Sequence, residues 1–188
     1  MKEGEREERE ETEETEETEI DKAKNMGNNI QKATSTLFIH QNNGFIPIGT
    51  ILFTQKHNGV QIEGIVNHNS IQDGLHGFHV HEYGDMSQGC HSMGPHFDSQ
   101  ISPSDHGDIE GFGHWGDFGN VLAKNHSIEI NLFSKRISLK QNHKNSIIGR
   151  GLVLHKDQDD LGRGNNEESK KTGNSGERIA CGIIAISK

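Results

Sequence analysis

The sequence predicts an all-β fold, and three of its features favour that class over a helical one. Its 188 residues include 23 glycines and few alanines, a composition that suits a chain with many turns. The apolar residues fall in short runs rich in β-branched side chains, which favour strands. Asn-Gly and Asp-Gly pairs separate several of these runs, and such pairs are typical of hairpin turns.

Eight strand-like runs and two long irregular segments follow residue 33. The first irregular segment covers residues 84–119 and is rich in glycine, histidine, aspartate and serine, and the second covers residues 156–177. Loops of this length in compact domains usually either carry function or are disordered. The predicted strands are residues 37–40, 46–54, 60–66, 75–81, 121–123, 127–132, 147–155 and 179–186.

The N-terminal segment is strongly acidic. Residues 1–21 hold 12 acids and 3 bases, a net charge of −9, which leaves 16 acids and 16 bases in residues 22–188. Repeated Glu-Glu-Thr units with almost no apolar residue cannot bury enough surface to offset the entropy lost on ordering. We therefore expect a disordered acidic tail over residues 1–33 and one folded domain over residues 34–188. A single helix is the structural alternative for the tail, and binding to a basic partner is the functional one.

The sequence argues against membrane and secretory segments. No run of about 18 apolar residues occurs, so no membrane span is predicted. The first five residues, Met-Lys-Glu-Gly-Glu, do not open an apolar signal-peptide core. We expect a cytoplasmic protein, with an extracellular location as the alternative, and no nucleic-acid or membrane partner.

The chain has two cysteines, Cys90 and Cys181, which are too few for a four-thiolate zinc site. The spacing alone is compatible with two free buried thiols or with one disulfide. A disulfide would close a loop of about 90 residues and restrict the unfolded chain by roughly 4–5 kcal/mol in the loop-entropy model.

Histidines give the clearest chemical signal, because seven of the 13 lie between residues 76 and 114. His79 and His81 are two residues apart on a predicted strand. Alternate strand residues point to the same face, so both imidazoles can approach one ion while Val80 faces the core. Imidazole binds copper and zinc, and the pair is therefore a candidate metal site.

A second set of candidate ligands lies in the loop that follows. His96, His106, His114 and Asp117 supply three imidazoles and a carboxylate within 22 residues, a set that tetrahedral zinc accepts. Glycines flank nearly all of these residues and permit sharp turns around an ion. The alternative is a solvated loop that happens to be rich in histidine. His155 lies at the end of an apolar strand, and it is a candidate ligand only in combination with the other histidines.

Several longer motifs resemble the Cu,Zn superoxide dismutase family. They occur in the family's order, and the resemblance runs from about residue 37 to the end of the sequence. The motifs are GFHVHEYGD at 77–85, GPHF at 94–97, HWGDFGN at 114–120, IGRGLVLH at 148–155, DDLGRG at 159–164 and GNSGERIACG at 173–182.

The resemblance implies an eight-stranded antiparallel Greek-key β-sandwich or barrel with two long functional loops, and copper and zinc ions as cofactors. One histidine of the family bridges the two metals, and here it corresponds to His96. By position, the copper ligands are His79, His81, His96 and His155, and the zinc ligands are His96, His106, His114 and Asp117.

Three further roles follow from the same resemblance. Asp159 matches the carboxylate that hydrogen-bonds a copper histidine and a zinc histidine, here His79 and His106. Cys90 and Cys181 match the family's intramolecular disulfide, and Arg178 matches the guanidinium that positions the anionic substrate beside copper.

The implied reaction is the disproportionation of superoxide to O2 and hydrogen peroxide. Copper would cycle between Cu(II) and Cu(I), and the bridging His96 would take up and return a proton. Members of the family pair as dimers through positions that match Tyr83, Ile148 and Ile186, so a homodimer is expected, and a copper chaperone is a further expected partner. The alternative function is a non-catalytic copper- and zinc-binding domain of the same fold.

The zinc segment departs from the family pattern. His106 follows His96 by ten residues and precedes His114 by eight, whereas the family more often has eight and nine. The resemblance therefore implies a rearranged zinc loop around His106.

Overall fold

The computed structural model describes residues 32–41, 44–99 and 104–188. Most of the predicted acidic tail, residues 1–31, lies outside the described residues. The first strand begins at Lys32, two residues before the expected start of the domain.

The described residues form ten strands, one turn of 3-10 helix at His91–Met93 and one short helix, α1, at Glu167–Thr172. The strands are β1 Lys32–Gln41, β2 Gly44–Lys56, β3 Gly59–Asn67, β4 Gly74–His81, β5 Ser87–Cys90, β6 Asp117–Lys124, β7 Ser127–Ser134, β8 Gly151–His155, β9 Arg178–Ile183 and β10 Ala185–Ser187.

Eight strand positions close into an antiparallel barrel in the order β1-β2-β3-β7-β6-β4-β8-β9, and Phe38 on β1 pairs with Cys181 on β9 to complete the ring. The last strand is interrupted at Ile184, and its second part, β10, continues the pairing with β1. β3 and β4 are consecutive in the chain but are not neighbours in the barrel, which is a Greek-key connection. The predicted eight-stranded Greek-key fold is therefore confirmed.

Several details differ from the sequence prediction. The segment 84–119, predicted as irregular, contains β5 and the start of β6 at Asp117. Residues 147–150, predicted as the start of a strand, form a turn in which the Arg150 amide donates to the Ile147 carbonyl. Gly149 adopts φ +80° in this turn, a left-handed conformation that ends β pairing. The segment 156–177, predicted as irregular, contains α1, which the Asn166 side chain caps by accepting from the Ser169 amide.

The barrel wall next to the long loops is buried on both faces. On β8, Leu152, Val153 and Leu154 all have no exposed surface. Leu152 and Leu154 join the barrel core, whereas Val153 packs outside it with Cys90 and Cys181. A strand covered on both sides reads as a continuous apolar run, and here the outer cover is the segment 84–119.

A disulfide joins Cys90 to Cys181, with 5.6 Å between their Cα atoms. Cys90 ends β5 in the first long segment, and Cys181 lies in the barrel wall on β9. The disulfide that the family resemblance implied is therefore present, and it fixes the loop to the barrel. No helix in the described part of the chain is long or apolar enough to cross a membrane.

Candidate metal centre

The outer face of β4 carries two of the predicted ligands. His79 and His81 have no exposed surface, and they alternate with Phe78 and Val80, which pack in the barrel core. This is the alternation that the His-x-His spacing predicts for a strand. The long loops cover this face, so both imidazoles lie in a buried space between barrel and loops.

Two further histidines complete the first group of candidate ligands. His155 at the end of β8 places its Nε2 3.2 Å from Nε2 of His81. His96 reaches the same place from the loop, where it forms an isolated β bridge with His81. One ligand atom from each of His79, His81, His96 and His155 falls within 4.8 Å of the others.

The second group is organised around the carboxylate of Asp117. Nδ1 of His96 lies 2.8 Å from Asp117 Oδ1, and Nδ1 of His106 lies 3.0 Å from Oδ2. Nδ1 of His114 lies 3.2 Å from Oδ2 of the same carboxylate. These four residues also fall within the 4.8 Å limit. The rearranged spacing around His106 thus still brings its ring to the other candidates.

His96 belongs to both groups, and its two ring nitrogens face different ones. Its Nδ1 points to Asp117, while its ring lies 4.7 Å from that of His81 and 5.5 Å from that of His114, centroid to centroid. A single imidazole can therefore supply one nitrogen to each group.

Asp159 fixes one histidine of each group. Its Oδ2 accepts from His79 Nε2 at 2.8 Å, and its Oδ1 accepts from His106 Nε2 at 2.7 Å. Asn120 on β6 holds Asp159 in turn, because its side chain donates to the Asp159 carbonyl and accepts from the Asp159 amide, both at 2.8 Å. Gly173 lies against the Asp159–His106 contact. A Cβ at this position would come within 1.9 Å of Asp159 Oδ1 and 2.5 Å of His106 Nε2, so the space admits only glycine.

Backbone carbonyls set the orientation of the other two rings. His81 donates from Nδ1 to the Gly94 carbonyl at 2.9 Å, and His155 donates from Nδ1 to the Gly176 carbonyl at 3.1 Å. Because Nδ1 carries the hydrogen in each bond, Nε2 of the neutral ring keeps a free lone pair. A metal-binding histidine usually has such a partner on its second nitrogen.

Several ring nitrogens in this site are buried and make no hydrogen bond, and metal ions would give them a partner. Within the described residues, Nδ1 of His79 and Nε2 of His96 are buried and have no hydrogen-bond partner, and Nδ1 of His106 makes only the ion-pair contact with Asp117. Leaving polar atoms unpaired in a buried place is costly. A set of imidazoles with one carboxylate suits copper and zinc, so the donor set fits both ions.

The surroundings favour the protonation states that metal binding requires. Burial lowers the pKa of His79, His81 and His96, and it lowers the pKa of His155 to about 3. These rings are therefore neutral near pH 7 and can donate a lone pair.

The carboxylate end of the site behaves differently. Burial acts to raise the pKa of Asp117, but its polar contacts with His106, His114 and His96 outweigh burial and hold the pKa well below its usual range. Burial likewise acts to lower the pKa of His106, but the bonds to Asp117 and Asp159 raise the pKa to about 9. A cation that binds at His106 must therefore displace a proton.

A cleft of about 540 Å³ reaches this centre from the surface and is lined by residues that include His96, His114 and Arg178. Arg178 donates from Nη1 to the Cys90 carbonyl at 2.9 Å and from Nη2 to the Gly94 carbonyl at 2.6 Å. The disulfide-linked loop thus holds the guanidinium next to the first group of histidines.

Sequence comparison with known proteins decides the family. The sequence model of the family described as copper/zinc superoxide dismutase matches residues 47–184. The chain belongs to the copper/zinc superoxide dismutase family. Copper and zinc are the cofactors of this family, and the two groups of histidine and aspartate side chains can hold them.

Named relatives agree with the assignment. The chain is 47% identical over 160 residues to an extracellular superoxide dismutase [Cu-Zn] of Brugia pahangi, covering 82% of this chain and 77% of the relative. It is 45% identical over 140 residues to superoxide dismutase [Cu-Zn] A of Xenopus laevis, covering 73% of this chain and 89% of the relative.

A solved structure is also similar. The crystal structure described as the clock protein EA4 superposes with a TM-score of 0.74 at 39% identity, covering 85% of this chain and 97% of that one.

Some residues that support the superoxide dismutase site were missed in the sequence. Asn120 and the carbonyls of Gly94 and Gly176 hold ligand side chains, and a buried His76 ring lies 2.9 Å from the His155 carbonyl and 2.7 Å from the Gln72 carbonyl. Backbone carbonyls leave no signal in a sequence. The motif HWGDFGN, which ends at Asn120, was the available signal for that residue.

We predict that Asp159→Asn weakens the binding of both metals, because an amide cannot accept hydrogen bonds from His79 and His106 at once. Loss of such a partner costs roughly 10- to 100-fold in metal affinity. Competition with a chelator, followed for copper and zinc separately, measures the effect. Asp73→Asn, at an exposed turn, serves as the control, and unchanged affinity of Asp159→Asn for both metals would contradict the bridging role.

Proposed function

We propose that this chain disproportionates superoxide, converting two O2•⁻ and two H⁺ into O2 and H2O2. The observation that carries the proposal is the shared position of His96, whose ring supplies one nitrogen to each of two adjacent groups of metal-binding side chains. With both ions bound, such a ring would connect a redox-active ion to a second ion that has no redox chemistry.

We assign the copper ion to His79, His81, His96 and His155, and the zinc ion to His96, His106, His114 and Asp117. Copper supplies one-electron redox chemistry when bound, and zinc, which has none, supplies a fixed charge. The four-histidine group is the softer set, and three of its members, His81, His96 and His155, line a second cavity of about 470 Å³ that shares Arg178 with the first cleft, which supports the copper assignment. The group with a carboxylate suits zinc.

His96 is proposed to carry a proton during the reaction. Its Nδ1 is fixed by the Asp117 group, so the ring cannot turn freely, and its Nε2 is directed to the copper group without another hydrogen-bond partner in the described chain. A proton held on Nε2 would therefore lie beside the bound substrate and could be passed to the peroxide product. The fixed ring keeps the transfer distance short.

Arg178 is proposed to attract and orient superoxide. Its guanidinium lines both the 540 Å³ cleft and the 470 Å³ cavity that His81, His96 and His155 also line. Three bonds to carbonyls of residues 90, 91 and 94 hold the planar group in place. A permanently charged, fixed donor positions a small anion at the entrance to the four histidines.

The alternative is a metal-binding domain of the same fold without catalysis. Such a domain has no need for a fixed cation at an open cleft, and Arg178 together with the cleft therefore favours the enzyme. Metal content and superoxide disproportionation, measured together on protein loaded with copper and zinc, separate the two functions. Bound copper and zinc without activity would support the binding domain.

We predict that His155→Ala loses copper and activity but keeps the fold, because the change removes one copper ligand at the end of β8. Loss of a direct ligand exceeds the effect of losing its hydrogen-bond partner, so activity falls by at least about 100-fold. Metal analysis and the rate of superoxide disproportionation give the readout, with circular dichroism to check the fold. His57→Ala on the exposed β2–β3 turn is the control, and full activity in His155→Ala would refute the copper assignment.

We predict that Arg178→Glu slows the reaction by roughly 10- to 100-fold through the lost attraction of the anion, while metal content stays unchanged. Arg178→Lys keeps the charge but loses the planar guanidinium, and its rate should lie between those of the unchanged protein and Arg178→Glu. The dependence of the rate on ionic strength distinguishes attraction from loop damage, since added salt slows the parent but not Arg178→Glu. An unchanged rate in Arg178→Glu would remove Arg178 from the mechanism.

A homodimer is proposed on the basis of exposed apolar side chains near the β9–β10 strand. Tyr83 is 56% exposed and Ile186 is 52% exposed, and Ile148 is partly buried. The chain next to Tyr83 packs closely against this region, because a Cβ on Gly84 would come within 3.0 Å of Ile183. Covering these side chains in a second copy removes apolar surface from water.

We predict that Ile186→Glu weakens self-association by at least about tenfold, since a buried charge at a dimer contact costs more than 1.4 kcal/mol. Sedimentation velocity over a range of concentrations measures the change. Ile65→Glu is the matched control, because Ile65 on β3 has a similar exposed fraction, 56% against 52% for Ile186. Equal association of both variants would place the dimer contact elsewhere or exclude it.

Location and copper delivery are further proposals. A relative at 47% identity is named an extracellular enzyme, and disulfides persist best in oxidising surroundings. Both points favour the extracellular alternative over the expected cytoplasmic location, and recovery of the expressed protein from the medium or from the cell fraction tests it. Delivery of copper by a chaperone stays a prediction.

A further inference from the structure

One end of the barrel carries a group of exposed lysines that we call the basic end. It is the end at which β1 begins, where the chain enters the barrel. The basic end comprises Lys32, Lys56, Lys135, Lys140 and Lys144. All five side chains are exposed, and none has an ion-pair partner within the described residues.

The fold brings these lysines together from distant parts of the sequence. Lys32 pairs with Thr54 in the β1–β2 register, and Lys56 follows two residues later on β2. The side chain of Gln55 accepts from the Leu139 amide at 2.8 Å, which holds the segment before Lys140 against the same hairpin.

The other two lysines continue this surface. Lys135 directly follows β7, whose last residue, Ser134, pairs with Val60. Lys144 lies 5.8 Å above the ring of Trp115. The next residue, Asn145, donates from its side chain to the Arg136 carbonyl, one residue after Lys135.

Carboxylates are missing from the chain segments that build this end. Residues 32–62 and 130–156 contain no aspartate or glutamate. Arg136, which follows Lys135, lies close enough to Asp98 and Asp108 to interact with their charges, and its guanidinium donates to the Asp108 carbonyl at 2.8 Å. Arg136 is therefore compensated and is not counted in the basic end, which otherwise carries five uncompensated positive charges.

The preceding part of the chain has the complementary charge. Residues 1–21 hold 12 acids and 3 bases, and residues 22–31 contain no acid. Asp21 is 11 residues from Lys32, so the acidic segment is tethered within a maximum of roughly 36–40 Å of the basic end. A short tether of this kind gives an effective concentration in the millimolar range, which makes weak contacts count.

We propose that the acidic segment, residues 3–21, docks on the basic end of its own barrel. The other exposed lysines near the cleft, Lys170 and Lys171, are interspersed with Glu167 and Glu168 on α1. An acidic segment would meet repulsion there as well as attraction. Docking at the basic end instead pairs some of the 12 carboxylates of the segment with lysines that have no ion-pair partner in the described residues, and it keeps the carboxylates away from the fixed cation Arg178. The proposal does not depend on catalysis by the chain.

Zero-length cross-linking of the full chain tests the proposal directly. A carbodiimide joins glutamate carboxylates only to lysine amines that they contact, and mass spectrometry identifies the joined residues. At about 10 mM salt, where screening is weak, links from residues 3–21 should favour Lys56, Lys135, Lys140 and Lys144 over Lys124 and Lys156 by at least about tenfold. At about 1 M salt, where the screening length falls to about 3 Å, this preference should disappear.

Matched variants and isotope mixing complete the test. Lys140→Gln/Lys144→Gln should reduce the links to the remaining lysines of the basic end by several-fold, whereas Lys124→Gln/Lys156→Gln should leave them unchanged. Links spread evenly over all exposed lysines would overturn the proposal. Links found mainly between chains, detected by mixing protein of natural isotope content with ¹⁵N-labelled protein, would also overturn it and would assign the acidic segment to a second copy.

Discussion

The carboxylate of Asp159 connects the barrel to both groups of candidate ligands. One oxygen accepts from His79 on the barrel strand β4, and the other accepts from His106 in the first long segment. Asp159 itself belongs to the second long segment and is held on β6 by Asn120. Three parts of the chain that are far apart in sequence therefore meet at one carboxylate. The orientation of a ring in each metal group depends on this contact.

The closed barrel makes such a contact possible, because it provides a rigid wall on which the loops can be built. Val153 is buried on the outer face of β8 by the disulfide-linked segment, so the loops are packed elements and not free connections. The same packing places carbonyls of the segment at Arg178. A guanidinium fixed in this way can orient an anion, whereas a mobile one would only attract it.

Charge is distributed unevenly over the molecule, and this follows from how the segments are arranged. The acids of the folded part lie in residues 63–129 and 157–177, while residues 32–62 and 130–156 have none. Because parts of these acid-free segments meet at one end of the barrel, the five lysines of the basic end have no ion-pair partner within the described residues. The acidic segment before β1 is joined to the chain at that same end.

The sequence by itself determined most of the barrel strands, the two long segments and the candidate ligands, because strand alternation, turn residues and His-x-His spacing are local patterns. The family motifs then predicted the disulfide, which is present, and a bridging role for His96. Tertiary structure decided what depends on distant contacts: the turn at Gly149, the cap that allows α1, and the carbonyls of Gly94 and Gly176 that orient His81 and His155. It also decided which lysines form one surface. Any residue has a carbonyl and many have a charge, so only the folded chain selects which of them meet.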